Sequence, residues 1–237
     1  KLESDAPPSG AVWLGVENPG RFEISLNGLP VSTDMECGWW CDRSLKRLPL
    51  DPNAVRAGEN ELLLSIDYDE YFAGLEIIYL LGNFGVRMAG KKPLVTTPVT
   101  SLKIGDWVPQ GLAFYSGNVS YAREVEINAE RGESVFLKIP EYRGVAATIH
   151  VNGQKAGTTA WGDNEVELTG LVKKGANEIR IEILGHRRNS HGPLHHTEKS
   201  PLWTGPGTFT EAAGNWSDDY QLVACGMMEY PVIIRRK

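Results

Sequence analysis

Cysteine is scarce in this chain: three in 237 residues, at positions 37, 41 and 225. So few and so unevenly placed, they cannot supply the disulfide framework on which small secreted folds depend. Cys37 and Cys41 are near enough to bridge across a loop or to stay thiols, and Cys225 lies in an apolar stretch that reads as a buried thiol. Long apolar runs are missing as well. The best candidate, around Leu75 to Leu81, is cut by Glu76, so no helical membrane span is encoded. There is no basic excess: 24 Lys and Arg stand against 30 Asp and Glu, a formal charge of −6. That removes the counterion-releasing face on which nucleic-acid binding depends. No amphipathic stretch of ordinary helix length occurs, and Leu168 to Lys174 has room for a single turn. Neither a Gly-x-Ser-x-Gly elbow nor a phosphate loop is present. A signal peptide and an initiator methionine are missing from the opening Lys1-Leu2-Glu3-Ser4-Asp5, which reads as part of a longer or processed protein.

What the chain does contain is a phrase stated twice. Phe22-Glu23-Ile24-Ser25-Leu26-Asn27-Gly28 aligns with Ala147-Thr148-Ile149-His150-Val151-Asn152-Gly153. Further on, Gly58-Glu59-Asn60-Glu61-Leu62-Leu63-Leu64-Ser65-Ile66 aligns with Gly175-Ala176-Asn177-Glu178-Ile179-Arg180-Ile181-Glu182-Ile183. The first phrase is a strand entering an Asn-Gly turn and the second a Gly-x-Asn turn feeding a strand, in the same order both times. A repeat of that kind predicts two related β-domains. Period-two alternation agrees: Leu62, Leu64, Ile66 and Tyr68 share one face, Ile179, Ile181 and Ile183 another, and Val119, Tyr121, Val125 and Ile127 a third. Strand signals recur every eight to twelve residues between Gly, Asn, Pro and Asp, the spacing of antiparallel sandwiches.

The pattern breaks at Ala89 to Thr100, around Gly90-Lys91-Lys92-Pro93 and Thr97-Pro98. The expected division is a β-sandwich over residues 1–90 and a second over 100–237. The halves are not symmetric. Two strands (Val119–Ile127 and Val135–Ile139) precede the Asn-Gly strand in the second half, against only Val12–Glu17 in the first. The first domain is therefore expected to lack a strand, which lies before Lys1 or comes from elsewhere.

Gln110-Gly111-Leu112-Ala113-Phe114-Tyr115-Ser116-Gly117-Asn118-Val119-Ser120-Tyr121, then Val151-Asn152-Gly153, then Leu168-Thr169-Gly170-Leu171 through Asn177-Glu178-Ile179 form an ordered set. It resembles the sugar-binding jelly roll of family 2 glycoside hydrolases over about Gln110 to Leu184. Tyr79-Leu80-Leu81-Gly82-Asn83-Phe84-Gly85-Val86 and the tail Arg188 to His196 resemble companion modules near the C-terminus of large bacterial glycosidases of the α-L-rhamnosidase type. The resemblance implies an all-β chain of two tandem galactose-binding-like jelly-roll β-sandwiches. It implies a non-catalytic accessory region that binds carbohydrate, braces the catalytic domain of the same polypeptide, or does both, and it favours an extracellular or periplasmic setting. No cofactor is implied beyond a structural calcium of the kind such sandwiches often carry, for which Asp106, Asp163 and Asp218 are the candidates.

Saccharides present C–H faces to aromatic rings and hydroxyls to charged and amide groups. The residues in loop-like sequence that suit this are Trp161, Trp203, Trp216, Arg187, Arg188, His191 and His195, with Asp163, Asn164 and Asn215 nearby. Trp39-Trp40 beside Asp42 and Arg43 are the counterpart in the first half. Packing of these rings into the sandwich ends is the competing explanation for each. His186, His191, His195 and His196 cluster, and His191/His195 have H-x₃-H spacing, half of a zinc site that needs two more ligands. Glycoside cleavage would require two carboxylates about 5–9.5 Å apart. The only suggestive string is Ser65-Ile66-Asp67-Tyr68-Asp69-Glu70, an echo of laminarinase-type strands with Ser65 where the nucleophile would stand. The chain is expected not to be an enzyme on its own. Asn118-Val119-Ser120 and Asn215-Trp216-Ser217 match glycosylation sequons by pattern.

Overall fold

An Asn-Gly pair favours a two-residue hairpin because both residues tolerate positive φ. Asn27 and Gly28 sit at φ 52° and 79°, Asn152 and Gly153 at 50° and 81°. These paired turns anchor the two halves of a computed structural model that describes residues 1–51, 53–72, 74–211 and 214–237. The chain separates into two units, Lys1–Thr100 and Ser101–Lys237.

Unit 1 contains β1 (Leu2–Ser4), β2 (Ser9–Glu17), β3 (Glu23–Leu26), β4 (Leu29–Val31), β5 (Trp39–Trp40), β6 (Asp42–Leu50), β7 (Gly58–Asn60), β8 (Leu62–Ser65), β9 (Tyr79–Asn83), β10 (Gly85–Ala89) and β11 (Lys92–Thr96). One sheet has the order β5-β6-β2-β9, the others β4-β3-β8 and β10-β11-β1-β7. Val12, Leu14 and Val16 of β2 alternate inward and meet Ile24 and Leu26 of β3 and Leu48 and Leu50 of β6.

Unit 2 contains β12 (Asn118–Ile127), β13 (Ser134–Lys138), β14 (Tyr142–Arg143), β15 (Ala146–Val151), β16 (Gln154–Thr159), β17 (Glu165–Glu167), β18 (Gly175–Leu184), β19 (Gly226–Met227) and β20 (Val232–Arg236), with one helical turn, α1 (Arg188–His191). A β12-β18-β15-β16 sheet and a β17-β13-β20 sheet enclose the core, and β14 pairs with β19. Ile149, Val151, Ile179, Ile181 and Ile183 pack against Val135, Leu137, Ile139 and Leu168. The molecule is all-β and its sheets are antiparallel, except that β1 lies parallel to β11.

The repeat extends to single atoms. Asn60 and Asn177 are fully buried, and buried amides need partners. Asn60 Oδ1 accepts from Arg56 N (2.7 Å) and Asn27 Nδ2 (2.7 Å), while its Nδ2 donates to the carbonyls of Arg56 (2.8 Å) and Gly58 (3.0 Å). Asn177 Oδ1 accepts from Lys173 N (2.9 Å) and Asn152 Nδ2 (3.0 Å), and its Nδ2 donates to the carbonyls of Lys173 (2.8 Å) and Gly175 (2.8 Å). Each Asn of the Asn-Gly turn also accepts through Oδ1 from the residue after the buried Asn: Asn27 from Glu61 N, Asn152 from Glu178 N.

On four points the structure departs from the sequence reading or decides what it left open. β8 ends at Ser65, so Tyr68 does not share its face and is exposed. Of the Ser65–Glu70 string only Ser65 lies in a strand, and Asp69 anchors a turn: it accepts from the N–H groups of Tyr71 (Oδ1, 2.9 Å) and Phe72 (carbonyl, 3.1 Å) and pairs with Arg21 at 2.7 Å. Gly90 and Lys91 turn the β10–β11 hairpin, so that part of the presumed connector is folded structure. Cys37 and Cys41 are not bridged. No helix among the described residues is long and apolar enough to cross a membrane.

Candidate functional site

Strand registers decide which loops of unit 2 meet. Leu184, the end of β18, lies opposite Asn118 of β12 and Ala146 of β15, and Thr159, the end of β16, lies opposite Ala147. Segments 101–117, 139–145, 160–164 and 185–231 therefore leave the sandwich at one pole, and the Asn-Gly turn lies at the other. All seven proposed contact residues belong to two of these segments. Trp161 thus shares a pole with residues far from it in sequence.

The floor of this pole is Trp107, fully buried. Its backbone N–H donates to the Cys225 carbonyl (2.8 Å), and the Gly105 N–H to that of Met227 (2.7 Å). Asp106 Oδ1 accepts from Val108 N (3.0 Å) and Cys225 N (3.1 Å), so this carboxylate holds backbone together. Gly226, at φ 135°, must be glycine for a second reason: a Cβ there would stand 2.6 Å from the Gly105 carbonyl. Burial raises the pKa of the Cys225 thiol above the usual range, which suits an inert side chain.

Asn189 latches the long segment. Its Nδ2 donates to the Val223 carbonyl (2.8 Å) and its Oδ1 accepts from Val223 N (2.9 Å), at a buried site. Beyond it, residues 194–197 zip to 215–221: Ser217 N donates to His195 O (2.7 Å), Thr197 N to Asn215 O (2.9 Å) and Gln221 N to Leu194 O (2.6 Å). His195 is stacked on Trp216 (centroids 4.7 Å, planes 20° apart), with Tyr220 at 4.5 Å and Phe114 against Tyr220 at 5.4 Å. Its Nδ1 donates to the Ser217 carbonyl at 2.9 Å. His195 and Trp216 are thus brought together, but as a half-buried stack that supports the loop.

Arg188 turns inward, donating from Nε to Lys199 O (2.9 Å) and from Nη2 to Pro193 O (3.1 Å); burial lowers its pKa. Arg187 stays exposed. His191 Nδ1 lies 2.7 Å from Ser190 Oγ, and burial, aided by the Arg187 charge, lowers the pKa of this imidazole. The H-x₃-H spacing does not mature into a zinc site. Among the described residues no group of three or more His, Cys, Asp or Glu side chains is placed to hold a metal ion. Of the three aspartates named for calcium, Asp163 and Asp218 are exposed and Asp106 is half-buried.

Two tryptophans project. Trp161 is 91% exposed and Trp203 79%. The backbone beneath Trp161 is pinned: Thr159 Oγ1 donates to the Trp161 carbonyl (3.4 Å) and to Asn164 Oδ1 (3.3 Å), Tyr142 OH to Thr159 O (3.0 Å), and Ile139 N to Asn164 O (3.0 Å). Gly162 and Asn164, at φ 82° and 53°, close the turn. The indole thus stands in solvent on a fixed base. Trp203 follows the exposed Leu202, and Phe209 nearby in sequence is also exposed. Sequence reasoning missed Phe114, Tyr220 and Asn189, which have no local pattern; only the fold makes them partners.

In unit 1, Trp39 is exposed while Trp40 packs on Tyr79 (4.7 Å). An open depression of about 390 Å³ is lined by Glu17, Arg21, Phe22, Tyr71, Phe72 and Glu76, among others.

No known protein-family model matches this sequence, and no curated protein matches it. Among solved structures, the chain is similar to a rhamnosidase from Novosphingobium sp. PP1Y, at 16% identity and TM-score 0.41, over 91% of this chain and 21% of that one. It is similar to an FMN-binding beta-glucuronidase from Facaelibacterium prausnitzii L2-6, at 20% identity and TM-score 0.32, over 50% of this chain and 15% of that one. A third likeness is to a putative beta-galactosidase from Bacteroides fragilis, at 22% identity and TM-score 0.28, over 39% of this chain and 14% of that one. The matched regions thus span between 14% and 21% of the length of these three chains.

Proposed function

We propose that unit 2 is a non-catalytic carbohydrate-contact module, part of the accessory region of a larger glycoside hydrolase, with Trp161 as its stacking platform. The observation that carries this reading is a fully solvated indole on a loop whose backbone is hydrogen-bonded into place. A soluble fold gains nothing by exposing a tryptophan, whereas a sugar face gains a rigid apolar surface with few degrees of freedom to freeze. Arg187 and Asp163, exposed on loops of the same pole, supply hydroxyl partners. A single platform with few polar contacts corresponds to a dissociation constant of about 1 mM, roughly −4 kcal/mol.

Titration of the chain with a panel of plant and bacterial oligosaccharides, followed by indole fluorescence or by NMR shifts, tests the reading. Saturable binding that Trp161→Ala weakens by at least about tenfold, roughly 1.4 kcal/mol, supports it. No binding at millimolar sugar sinks it.

One observation favours a second reading. Leu202 and Trp203 are adjacent, apolar and exposed, which suits a surface that docks on the catalytic domain of the same polypeptide without touching sugar. In that case Trp203→Ala weakens association with that domain and Trp161→Ala leaves it unchanged.

A further inference from the structure

The duplicated registers reveal an edge that is filled in one unit and open in the other. In unit 2 the uninterrupted β18 is paired on both sides: β15 along one edge, and β12 along the whole of the other, from Ile127↔Gly175 to Asn118↔Leu184. In unit 1 the equivalent of β18 is the run of β7 and β8, separated only by Glu61. Gly58–Asn60 corresponds to Gly175–Asn177, and Leu62, Leu64 and Ile66 to Ile179, Ile181 and Ile183. One edge is complete, because β3 pairs with β8 as β15 does with β18. The opposite edge is filled for three rungs only. Leu2↔Asn60, Glu3↔Glu59 and Ser4↔Gly58 reproduce Val125↔Asn177, Glu126↔Ala176 and Ile127↔Gly175. β1 therefore occupies the place of the last three residues of β12, and its inward residues, Leu2 and the buried Ser4, stand where Val125 and Ile127 stand.

Beyond those rungs, among the described residues, β8 is the terminal strand of its sheet, with β3 as its neighbour. The side chains record the difference. Ile179, Ile181 and Ile183 are 4%, 3% and 0% exposed, while Leu62, Leu64 and Ile66 are all only half-buried. Leu63, on the outer face, is 56% exposed. An apolar strand edge left in water is a template for pairing.

We propose that the free edge of β8 is a strand-acceptor site, completed by an extended segment continuous with β1 on its N-terminal side. That segment runs antiparallel to β8 and places apolar side chains opposite Leu64 and Ile66, as β12 places Tyr121 and Val119 opposite Ile181 and Ile183. Continuity with the β1–β7 ladder selects this occupant over a free peptide: a strand already held at Leu2 reaches the next rungs with no further loss of translational freedom. Register is also specified, since a slip of one residue turns the apolar side chains to solvent.

The test uses the full chain with the sequence of Asn118–Arg123 added directly before Lys1, which continues β1 in the register of β12. Amide hydrogen exchange at Leu62–Ser65 is compared with that of the unextended chain. The expected result is exchange slowed by at least about tenfold in β8, with unit 2 amides unchanged. A second extension, carrying one glycine between the added residues and Lys1, shifts the register and is expected to restore the parent rate. Unchanged exchange in the first extension, or equal protection by both, overturns the proposal. So does an unextended chain whose β8 amides are already protected together with a doubled mass in light scattering, since the edge then belongs to a second copy. Should that extension not fold, a shorter one carrying only Tyr121–Arg123 directly before Lys1 gives the same readout at Leu62–Leu64. Protection confined to β8 supports the site, and its absence overturns it.

Discussion

Asn152 donates from its side-chain amide to Oδ1 of the buried Asn177 at 3.0 Å, tying the hairpin turn of one strand pair to the start of the central strand. Asn27 and Asn60 repeat the bond at 2.7 Å. In each unit the same amide also holds the loop before the strand, through Lys173 or Arg56. One side chain thus fixes a hairpin, a loop and a strand origin at once.

Replacing Asn177 with alanine leaves the Lys173 N–H and the Lys173 and Gly175 carbonyls without their partner. A loss of about 3 kcal/mol from unit 2 is expected, because each buried polar group left unsatisfied costs about 1–3 kcal/mol. Urea denaturation followed by unit 2 reporters such as Trp107 will show the midpoint fall. Asn60→Ala is expected to have the same effect on unit 1 and to leave the unit 2 transition in place.

Trp161 and Trp216 are expected to part company under mutation. Trp161→Ala removes an exposed ring and is expected to change stability by under about 0.5 kcal/mol. Trp216→Ala removes the stacking partner of His195 and is expected to destabilise the 194–221 segment by about 1 kcal/mol. Thermal melts of the two variants, read beside their sugar titrations, check both.

Asn189→Ala is expected to free the segment between α1 and β19 without unfolding the sandwich. The variant loses both bonds to Val223, about 2 kcal/mol of local stability. Limited proteolysis should cut within residues 194–222 faster than in the parent, while the amides of β15 and β18 remain protected.

The pKa of His191 is lowered by burial and by Arg187, so the folded state resists its protonation. Above the unfolded value, near 6.5, folded and unfolded chains are both neutral at this position and its contribution is at its maximum. As pH falls below 6.5 the unfolded chain takes up the proton first, and stability declines until pH passes the lower folded value. A pH series of melts from 8 to 5 should show this decline, and His191→Gln should flatten its share of it.

Much of the fold was legible in advance because two phrases were written twice. The Asn-Gly turns, the alternation of Ile179, Ile181 and Ile183, and the all-β class follow from local chemistry that needs no distant partner. The alternation of Leu62, Leu64, Ile66 and Tyr68 reads as one longer strand, yet β8 ends at Ser65 and Asp69 anchors a turn beyond it that spacing does not announce. The asymmetry of the repeat points to a strand missing from unit 1, but that Leu2–Ser4 stands at the place of the end of β12 required the rungs opposite Asn60. The candidate residues named from the sequence lie at one pole of unit 2, and the structure separates two kinds among them. Trp161 and Arg187 face solvent, whereas His195, Trp216 and Arg188 hold the loop, and nothing in composition separates a supporting aromatic from a presented one.

The two poles of unit 2 are built differently. The buried Asn177 fixes one end of the sandwich, while at the other the chain runs from Leu184 to Val232, with only the short β19 on the way, before entering the opposite sheet, where unit 1 crosses from Ser65 to Tyr79. A scaffold whose folding information sits at the far end can lengthen, shorten or re-dress its near end without renegotiating its core. Loops in this architecture are thus open to change one excursion at a time.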